Sequence, residues 1–277
     1  MTTDKMLPQY FDIHSHVNDK QFANDRDDVF GRMREHNVWG ILVGTDYESS
    51  QEVISLASAI SSGVYATMGI HPTDTYCIKF PKTIFDELAT NPRVVAVGEC
   101  GIDYSRLADK ENIENEKERQ RDLFRDQVDF AIEHNLPLML HVRDSNKSDA
   151  DAHHEVLAIL KEKKETAGAA LRGDVHFFAQ TLDIAREYFA LDFTISFTGV
   201  ITFSREYDEV IREAPLERLM SETDCPYVAP APYRGKRNEP IYVEEVVKKI
   251  AEIRGEDFET VRAALVQNAL RTFNIVV

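Results

Sequence analysis

The sequence predicts a (β/α)8 TIM barrel. Its 277 residues are close to the roughly 250 residues that are typical of this fold. Short apolar runs alternate with longer segments of helical periodicity along the chain, which predicts parallel β/α units. We therefore expect one domain that covers residues 1–277. An open doubly wound sheet is the competing architecture, but no Gly-x-Gly-x-x-Gly motif follows the first apolar run.

Eight apolar runs are the candidate strands, and eight is the number that closes such a barrel. In chain order they are Tyr10–His14, Gly40–Gly44, Tyr65–Gly69, Val94–Glu99, Leu138–His141, Asp174–His176, Phe193–Ile195 and Leu219–Glu222. The segments between them have the spacing of helices with one buried face. The clearest pattern repeats at i, i+3, i+4 and i+7, at Val243, Val246, Val247 and Ile250.

The charge balance excludes a simple electrostatic binder of nucleic acid. The chain has 32 basic and 48 acidic residues, for a net charge of -16, whereas such binders are usually basic. If the substrate is a polyanion, bound metal ions or a small basic patch must attract it.

The cysteines and the N-terminus indicate the class of protein. Three cysteines in 277 residues, Cys77, Cys100 and Cys225, form neither a disulfide framework nor a zinc ribbon, and we expect them to be packing residues. No apolar run approaches the roughly 18 residues of a membrane span. The first residues also lack the apolar stretch of a signal peptide. We expect a cytoplasmic protein without a membrane partner, and a monomer.

Six potential metal ligands lie where predicted strands end. His14 and His16 are one residue apart, so their side chains point to the same side of a strand. The others are Glu99, His141, His176 and Asp224. The carboxyl ends of parallel barrel strands meet at one mouth, so we expect these side chains to converge there.

Four imidazoles and two carboxylates are too many for one tetrahedral ion but suit two divalent cations. We expect Glu99 to bridge them. His14, His16 and Asp224 would bind the first ion, and His141 and His176 the second. Two such ions, about 3.5–4 Å apart, can hold a substrate for in-line attack and stabilise the leaving oxygen. The nitrogen ligands favour zinc, manganese or iron, whereas magnesium prefers oxygen donors.

The sequence resembles the TatD family of metal-dependent deoxyribonucleases over nearly its whole length. The matching stretches are Phe11–His16, Gly69–Pro72, Val97–Tyr104, Leu136–Arg143, Ile195–Gly199, Glu222–Pro230 and Tyr233–Pro240. The resemblance implies a (β/α)8 TIM barrel of the metal-dependent hydrolase type, a two-metal site on the six ligands above, and 3′–5′ exonuclease activity on DNA. It agrees with Glu99 as the bridge. For this activity we expect Asp224 to be the general base and Glu99 to fix the separation of the metal ions.

Other residues are candidates for substrate binding. The resemblance favours a phosphate contact over a turn role for His71. Arg143, two residues beyond His141, either contacts a phosphate or pairs with an acid. The basic cluster with Arg234 and Lys236 either steers DNA or is a solvated loop. The charged segment Arg106–Asp122 is either a solvated helix face or an insertion that contacts substrate.

The sixth predicted strand departs from the family pattern. The family usually has His followed by Cys, Phe, Ser and Gly, whereas this chain has His176 followed by Phe177–Gln180. The ligand remains, but bulkier residues follow it. We expect metal binding to be retained and substrate preference on this side to change.

Two alternatives stay open. An amidohydrolase-type barrel acting on a small ester, amide or phosphoester also begins with His-x-His, but commonly bridges its ions with a carbamylated lysine where this chain has Glu99. A scaffold without activity is the second alternative, and the retention of all six ligands argues against it.

Overall fold

The computed structural model describes residues 7–74, 79–107 and 112–277. Within them, strands form one parallel eight-stranded sheet whose order follows the chain. They are β1 (Tyr10–Ser15), β2 (Val38–Leu42), β3 (Val64–Met68), β4 (Val94–Asp103), β5 (Leu138–Arg143), β6 (Gly173–Val175), β7 (Phe193–Phe197) and β8 (Leu219–Ser221).

An α-helix follows each strand, and a second one follows the helix after β8. The helices are α1 (Arg26–Glu35), α2 (Tyr47–Ala59), α3 (Lys82–Ala89), α4 (Ile113–Glu133), α5 (Asp151–Ala167), α6 (Leu182–Ala190), α7 (Asp208–Glu213), α8 (Val243–Arg254) and α9 (Phe258–Thr272). None of the helices in these ranges is both long enough and apolar enough to cross a membrane.

The sheet closes between its last and first strands. The Ser221 hydroxyl donates to the Phe11 carbonyl at 3.3 Å, and the Thr223 amide donates to Oδ1 of Asp12 at 2.8 Å. Ser15 and Cys225 form a parallel bridge just beyond them. The predicted (β/α)8 TIM barrel is confirmed.

Two apolar clusters fill the molecule. The larger one lies between the sheet and the surrounding helices, as expected when helices cover a parallel sheet. The smaller one lies inside the barrel, where residues such as Phe11, Val95 and Met139 meet Val266 and Leu270 of α9. Since Phe11 and Val95 lie near the starts of their strands, α9 covers the amino-terminal end and leaves the carboxyl ends for the site.

The fourth strand differs from its prediction in a way that shapes the site. It continues past Glu99 to Asp103, and its pairing with β5 shifts register between Val97 and Cys100. Such a bulge redirects a side chain and bends the strand. A Cβ on Gly101, whose φ is +141°, would lie 2.1 Å from the His141 carbonyl oxygen. Only glycine therefore lets β4 pass β5 this closely.

Helix α4 fixes two strand ends with buried glutamines. Oε1 of Gln127 accepts from the Ile70 amide at 2.8 Å, and Nε2 donates to the Ile70 carbonyl at 3.0 Å. Gln120 makes the same pair of bonds with Asp103, at 2.8 and 3.1 Å. The two glutamines are two helical turns apart and share one face. This helix thereby holds the backbone beside the site.

Part of the charged segment Arg106–Asp122 belongs to this helix, while residues 108–111 lie outside the described residues. On the helical part, Arg119 pairs with Glu116 at 2.6 Å and donates to the Pro72 carbonyl at 2.6 Å. The helical part of this segment therefore packs against the ends of the strands.

Candidate metal centre

The six predicted ligands come together at the carboxyl ends of the strands. Oε2 of Glu99 lies 3.5 Å from Nε2 of His14 and 3.7 Å from Nε2 of His16. Oδ1 of Asp224 lies 3.9 and 3.6 Å from the same two nitrogens. These atoms form one group of donors around one oxygen of Glu99.

The other oxygen of Glu99 faces a second group. Oε1 is 2.7 Å from Nδ1 of His141 and 3.0 Å from Nε2 of His176. Nε2 of His71 is 3.6 Å from this oxygen. Glu99 thus stands between two sets of donors, with His71 beside the second set. The division of these donors between two ions stays a prediction.

The donor set fits divalent cations. Nε2 of His14 and Nε2 of His16 are only 3.1 Å apart. Nε2 of His176 is buried and has no hydrogen-bond partner among the described residues, even though it lies near Glu99. A buried imidazole nitrogen without a partner is costly, and a cation at that point would compensate it. Mixed imidazole and carboxylate donors suit zinc, manganese or iron.

The electrostatics of the group keep Glu99 charged. Burial alone raises the pKa of its carboxyl, but the imidazoles of His176, His14 and His71 outweigh that effect and hold it well below its usual range. Burial lowers the pKa of His176, whereas the carboxylates of Glu222 and Glu99 raise it to about 10. A cation bound at Nε2 of His176 would take the place of the proton on that nitrogen. Burial and the neighbouring His141 lower the pKa of His71 to about 3, so its ring is neutral at pH 7.

Two carboxylates that the sequence reasoning did not assign orient the histidines of the second group. Nε2 of His141 lies 3.0 Å from Oδ2 of Asp103, and Nδ1 of His176 lies 3.2 Å from Oε1 of Glu222. Each ring therefore turns one nitrogen to Glu99 and the other to a carboxylate, which fixes its tautomer and strengthens it as a ligand. In the sequence, both residues could have been noticed as acids near the ends of predicted strands: Asp103 follows the fourth strand, and Glu222 ends the eighth.

Another buried carboxylate, that of Asp174, shares a hydroxyl partner with Glu222. The Ser196 hydroxyl is 2.7 Å from Oε2 of Glu222 and 2.7 Å from Oδ2 of Asp174. The single hydroxyl proton can be donated to only one of the two carboxylates, so the contact favours a proton on the other one. Burial and the charge of Glu222 raise the pKa of Asp174 to about 7, which favours Asp174 as that acid.

A cavity of about 580 Å³ opens above the donors. His71 and Arg143 line it, as the sequence suggested, and so does Arg106. Nη1 of Arg143 donates to the Phe177 carbonyl at 3.1 Å, and its guanidinium lies 4.6 Å from the centre of the Phe177 ring. Arg143 therefore lies flat against the wall of the cavity.

The other two predicted substrate contacts do not line this cavity. Arg234 is exposed and lies over the Phe203 ring at 3.9 Å, and Lys236 is exposed. Arg237, in the same cluster, is bound by Asp25 at 2.6 Å and 2.7 Å. Binding of substrate by Arg234 and Lys236 stays a prediction. It would require a DNA strand that extends beyond the cavity.

The segment Phe177–Gln180, which departs from the family pattern, makes specific contacts beside the cavity. Phe177 lines the cavity, Phe178 is buried, and Nε2 of Gln180 donates to Oδ2 of Asp144 at 2.9 Å and to the Lys147 carbonyl at 2.6 Å. The bulkier residues thus anchor this loop and place one ring in the wall of the site. The expected change in substrate preference stays a prediction.

Strained backbone occurs at two positions of the site. Phe177 has φ +46° and Asp224 has φ +53°, which are unfavourable for residues other than glycine. Such residues often cluster where a side chain must be aimed at a functional site.

The described cysteines are buried and free. Cys100 and Cys225 form no disulfide, and burial raises the pKa of both thiols. They pack as predicted, whereas Cys77 lies outside the described residues.

Comparisons with known proteins agree with this geometry. A family model described as TatD related DNase matches residues 11–274. A Bacillus subtilis protein named uncharacterized metal-dependent hydrolase YabD is 36% identical over 269 residues, covering 96% of this chain and 99% of its own length. An Erwinia billingiae protein named 3′-5′ ssDNA/RNA exonuclease TatD is 34% identical over 275 residues, covering 96% of this chain and 99% of its own length.

A solved structure extends the likeness to three dimensions. The crystal structure of YJJV, a TatD homolog from Escherichia coli K12, has a TM-score of 0.84 and 26% identity, and the match covers 98% of this chain and 100% of that one. The amidohydrolase-type alternative is not favoured, since this chain has Glu99 at the position where such barrels commonly have a bridging lysine. The match to nearly the whole family model, together with these relatives, shows that the chain belongs to the TatD related DNase family of metal-dependent hydrolases.

Proposed function

We propose that this protein is a phosphodiesterase that uses two divalent cations to remove nucleotides from the 3′ end of single-stranded DNA. The observation that carries the proposal is the position of Glu99, whose two oxygens face separate groups of donors. The substrate class comes from the Erwinia billingiae relative, which is named a 3′-5′ ssDNA/RNA exonuclease. The cytoplasmic location, the monomeric state and the single domain over residues 1–277 stay predictions.

We divide the donors into two groups that share Glu99. His14, His16 and Asp224 lie close enough together to hold one ion, and we assign the second ion to His141 and His176, which lie 2.7 and 3.0 Å from Oε1 of Glu99. When bound there, divalent cations would polarise the phosphoryl group and lower the pKa of a water molecule. Zinc, manganese or iron suits these nitrogens better than magnesium.

Asp224 is the group we assign as general base. It lines the cavity, and its side chain keeps 14% of its surface exposed, so it meets both the donor group and incoming solvent. We propose that it accepts the proton of the attacking water as the new P–O bond forms. The bond between phosphorus and the 3′ oxygen breaks, and that oxygen takes up a proton from solvent. The step releases a nucleoside 5′-monophosphate and leaves a shortened strand with a 3′ hydroxyl.

His71 and Arg143 are the groups we assign to the phosphate. A neutral His71 donates a hydrogen bond without adding charge beside Glu99, and Arg143 supplies a fixed positive charge at the wall. Arg106 adds a second cation at the rim. These groups, together with bound metal ions, would offset the net charge of -16 where the substrate enters.

The test is degradation of 5′-labelled single-stranded DNA by the purified protein with manganese or magnesium. We expect stepwise shortening from the 3′ end that stops when EDTA is added. Glu99→Gln should abolish turnover. Asp224→Asn should lower kcat by about 10²–10⁴-fold, the usual contribution of general acid–base catalysis.

The controls separate the parts of the proposal. Glu213→Gln, at an exposed position of α7, should keep the rate of the unaltered protein. A near-native rate for Asp224→Asn would remove Asp224 from the role of base. Intact DNA in the presence of a protein that binds two cations would reject the substrate but not the metal centre, and RNA and small phosphodiesters would then be tested.

A further inference from the structure

Tyr227 is one of the exposed large hydrophobic residues of the part of the chain that the structure describes. It is 51% exposed, yet its backbone is held on both sides. Its amide donates to the Asp224 carbonyl at 3.0 Å, and its carbonyl accepts from Nδ2 of the buried Asn238 at 2.7 Å. The same Asn238 nitrogen also donates to the Thr223 carbonyl at 2.8 Å. The loop therefore fixes the position of this ring and leaves its surface to solvent.

Tyr227 lies directly beside the first group of donors. It lines the cavity, and the centre of its ring is 6.4 Å from that of His16, with an angle of 65° between the planes. An apolar ring is therefore held next to the point at which a phosphodiester would react.

The histidine rings form a row that starts at Tyr227. The centre of the His16 ring is 5.0 Å from that of His14, which is stacked on His176 at 3.9 Å. The Phe177 ring follows at 6.2 Å from His176. Tyr227 and Phe177 therefore mark opposite ends of the row, and both line the cavity.

The two ends differ chemically. Arg143 lies over the Phe177 ring at 4.6 Å, so that end presents a cation. At the other end, the Tyr227 side chain hydrogen-bonds the carboxylate of Asp19, which also lines the cavity, and the ring is exposed. That end therefore presents an aromatic surface beside an acid. A nucleotide strand has the matching pair of features, since it carries a phosphate and an apolar base in each unit.

We propose that Tyr227 is a base-binding residue, on whose ring a nucleobase next to the scissile phosphodiester stacks, while a neighbouring phosphate lies at Arg143. The inference rests on the proposed function and adds to it a contact with the base. Stacking on an aromatic ring accepts any base, because every base has a π face. The site would therefore require a base at this position without selecting which one.

The experiment compares Tyr227→Leu and Tyr227→Phe on two sets of oligonucleotides. One set is natural single-stranded DNA, and the other has a single abasic tetrahydrofuran unit at the 3′-terminal or the penultimate position. We expect Tyr227→Leu to raise KM about tenfold on natural DNA with little change in kcat, and Tyr227→Phe to remain near the unaltered protein. At one of the two positions, the abasic unit should raise KM for the unaltered protein by a similar factor and remove the difference between it and Tyr227→Leu.

Binding is measured separately from turnover. Fluorescence anisotropy with a phosphorothioate-terminated oligonucleotide, which resists hydrolysis, should give the same pattern in Kd. Metal content should remain the same in all variants. Phe258→Leu, a half-buried ring at the start of α9, is the control for loss of an aromatic side chain away from the cavity and should change neither constant.

Two results would overturn the inference: an equal loss for Tyr227→Leu on natural and abasic DNA at both positions, or no loss on natural DNA. The first result would make the ring a support for His16 alone. Absence of cleavage by the unaltered protein on every oligonucleotide would instead reject the proposed function, and the anisotropy comparison would still decide whether a base binds to Tyr227.

Discussion

Replacing Gln127 by leucine should test how α4 holds the site. The side-chain amide of Gln127 is fully buried and bonds to both backbone groups of Ile70, at 2.8 and 3.0 Å. Leucine has a similar size but cannot donate or accept, so the Ile70 amide and carbonyl would lose these partners. The next residue is His71, which lines the cavity.

The expected loss of stability follows from those two groups. A buried polar group without a partner costs about 1–3 kcal/mol, so two groups give a loss of about 2–6 kcal/mol. The extra apolar surface buried by leucine offsets about 1–2 kcal/mol of this. We expect the free energy of unfolding to fall by about 1–4 kcal/mol, compared with about 5–15 kcal/mol for the stability of an average domain.

The measurement is urea unfolding followed by circular dichroism, with EDTA present so that metal binding does not contribute. Gln51→Leu is the matched control, because Gln51 is an exposed helical glutamine and surface substitutions usually stay within about 0.5 kcal/mol. Gln127→Glu adds a pH test. Its ionised carboxylate can accept from the Ile70 amide but repels the carbonyl, whereas its protonated form can donate. Its deficit should therefore shrink as the pH falls. A loss below about 1 kcal/mol for Gln127→Leu would refute the reasoning, since it would mean that Ile70 finds other partners.

Three further outcomes are expected. Removal of bound cations with EDTA should lower the apparent Tm of the unaltered protein but not that of Glu99→Gln. A ligand at 100 times its Kd stabilises the native state by about 2.7 kcal/mol, and this stabilisation is lost when the ligand is removed. Equal shifts of Tm in both proteins would contradict the metal centre. Burial lowers the pKa of His153 to about 3, below its value of about 6.5 in the unfolded chain, so the unfolded state binds more protons and stability falls as the pH drops through 6.5. Between pH 7.5 and 5.5 the unaltered protein should therefore lose about 1.4 kcal/mol more than His153→Gln in urea unfolding with EDTA, and parallel losses would show that this ring does not titrate as described. Finally, Cys100 and Cys225 are fully buried, so a Cys77→Ser variant should react with a thiol reagent such as DTNB only after unfolding; rapid reaction of the native variant would show that one of them is accessible.

The basic cluster after β8 shows where sequence reasoning reached its limit. Arg234 and Lys236 follow Asp224 closely in the chain, which suggested that they lie near the site. In the fold, Arg234 lies over Phe203 and neither residue lines the cavity. The path of a long loop depends on contacts with distant segments, and a single sequence does not specify them.

The carboxylates behind the histidines show the same limit. Asp103 and Glu222 follow apolar runs just as Glu99 does, so their pattern alone does not separate a ligand from a residue that orients a ligand. For Glu99 and Asp103, which both lie on β4, the bulge separates the ligand from the residue that orients a ligand. It does so because it changes the register between Val97 and Cys100. Only the folded strand decides which acid faces both donor groups and which acid supports one ring.

The sequence by itself determined the barrel and the six residues at its mouth. Parallel strands with a helix after each one can close in few ways, and their carboxyl ends must then meet, so residue type and position at strand ends were enough. The tertiary structure alone decided which nitrogen of each histidine faces which oxygen of Glu99, which acids hold those rings, and which rings and cations line the cavity. These features depend on side-chain directions across several strands and loops, and periodicity and spacing in the sequence do not resolve those directions.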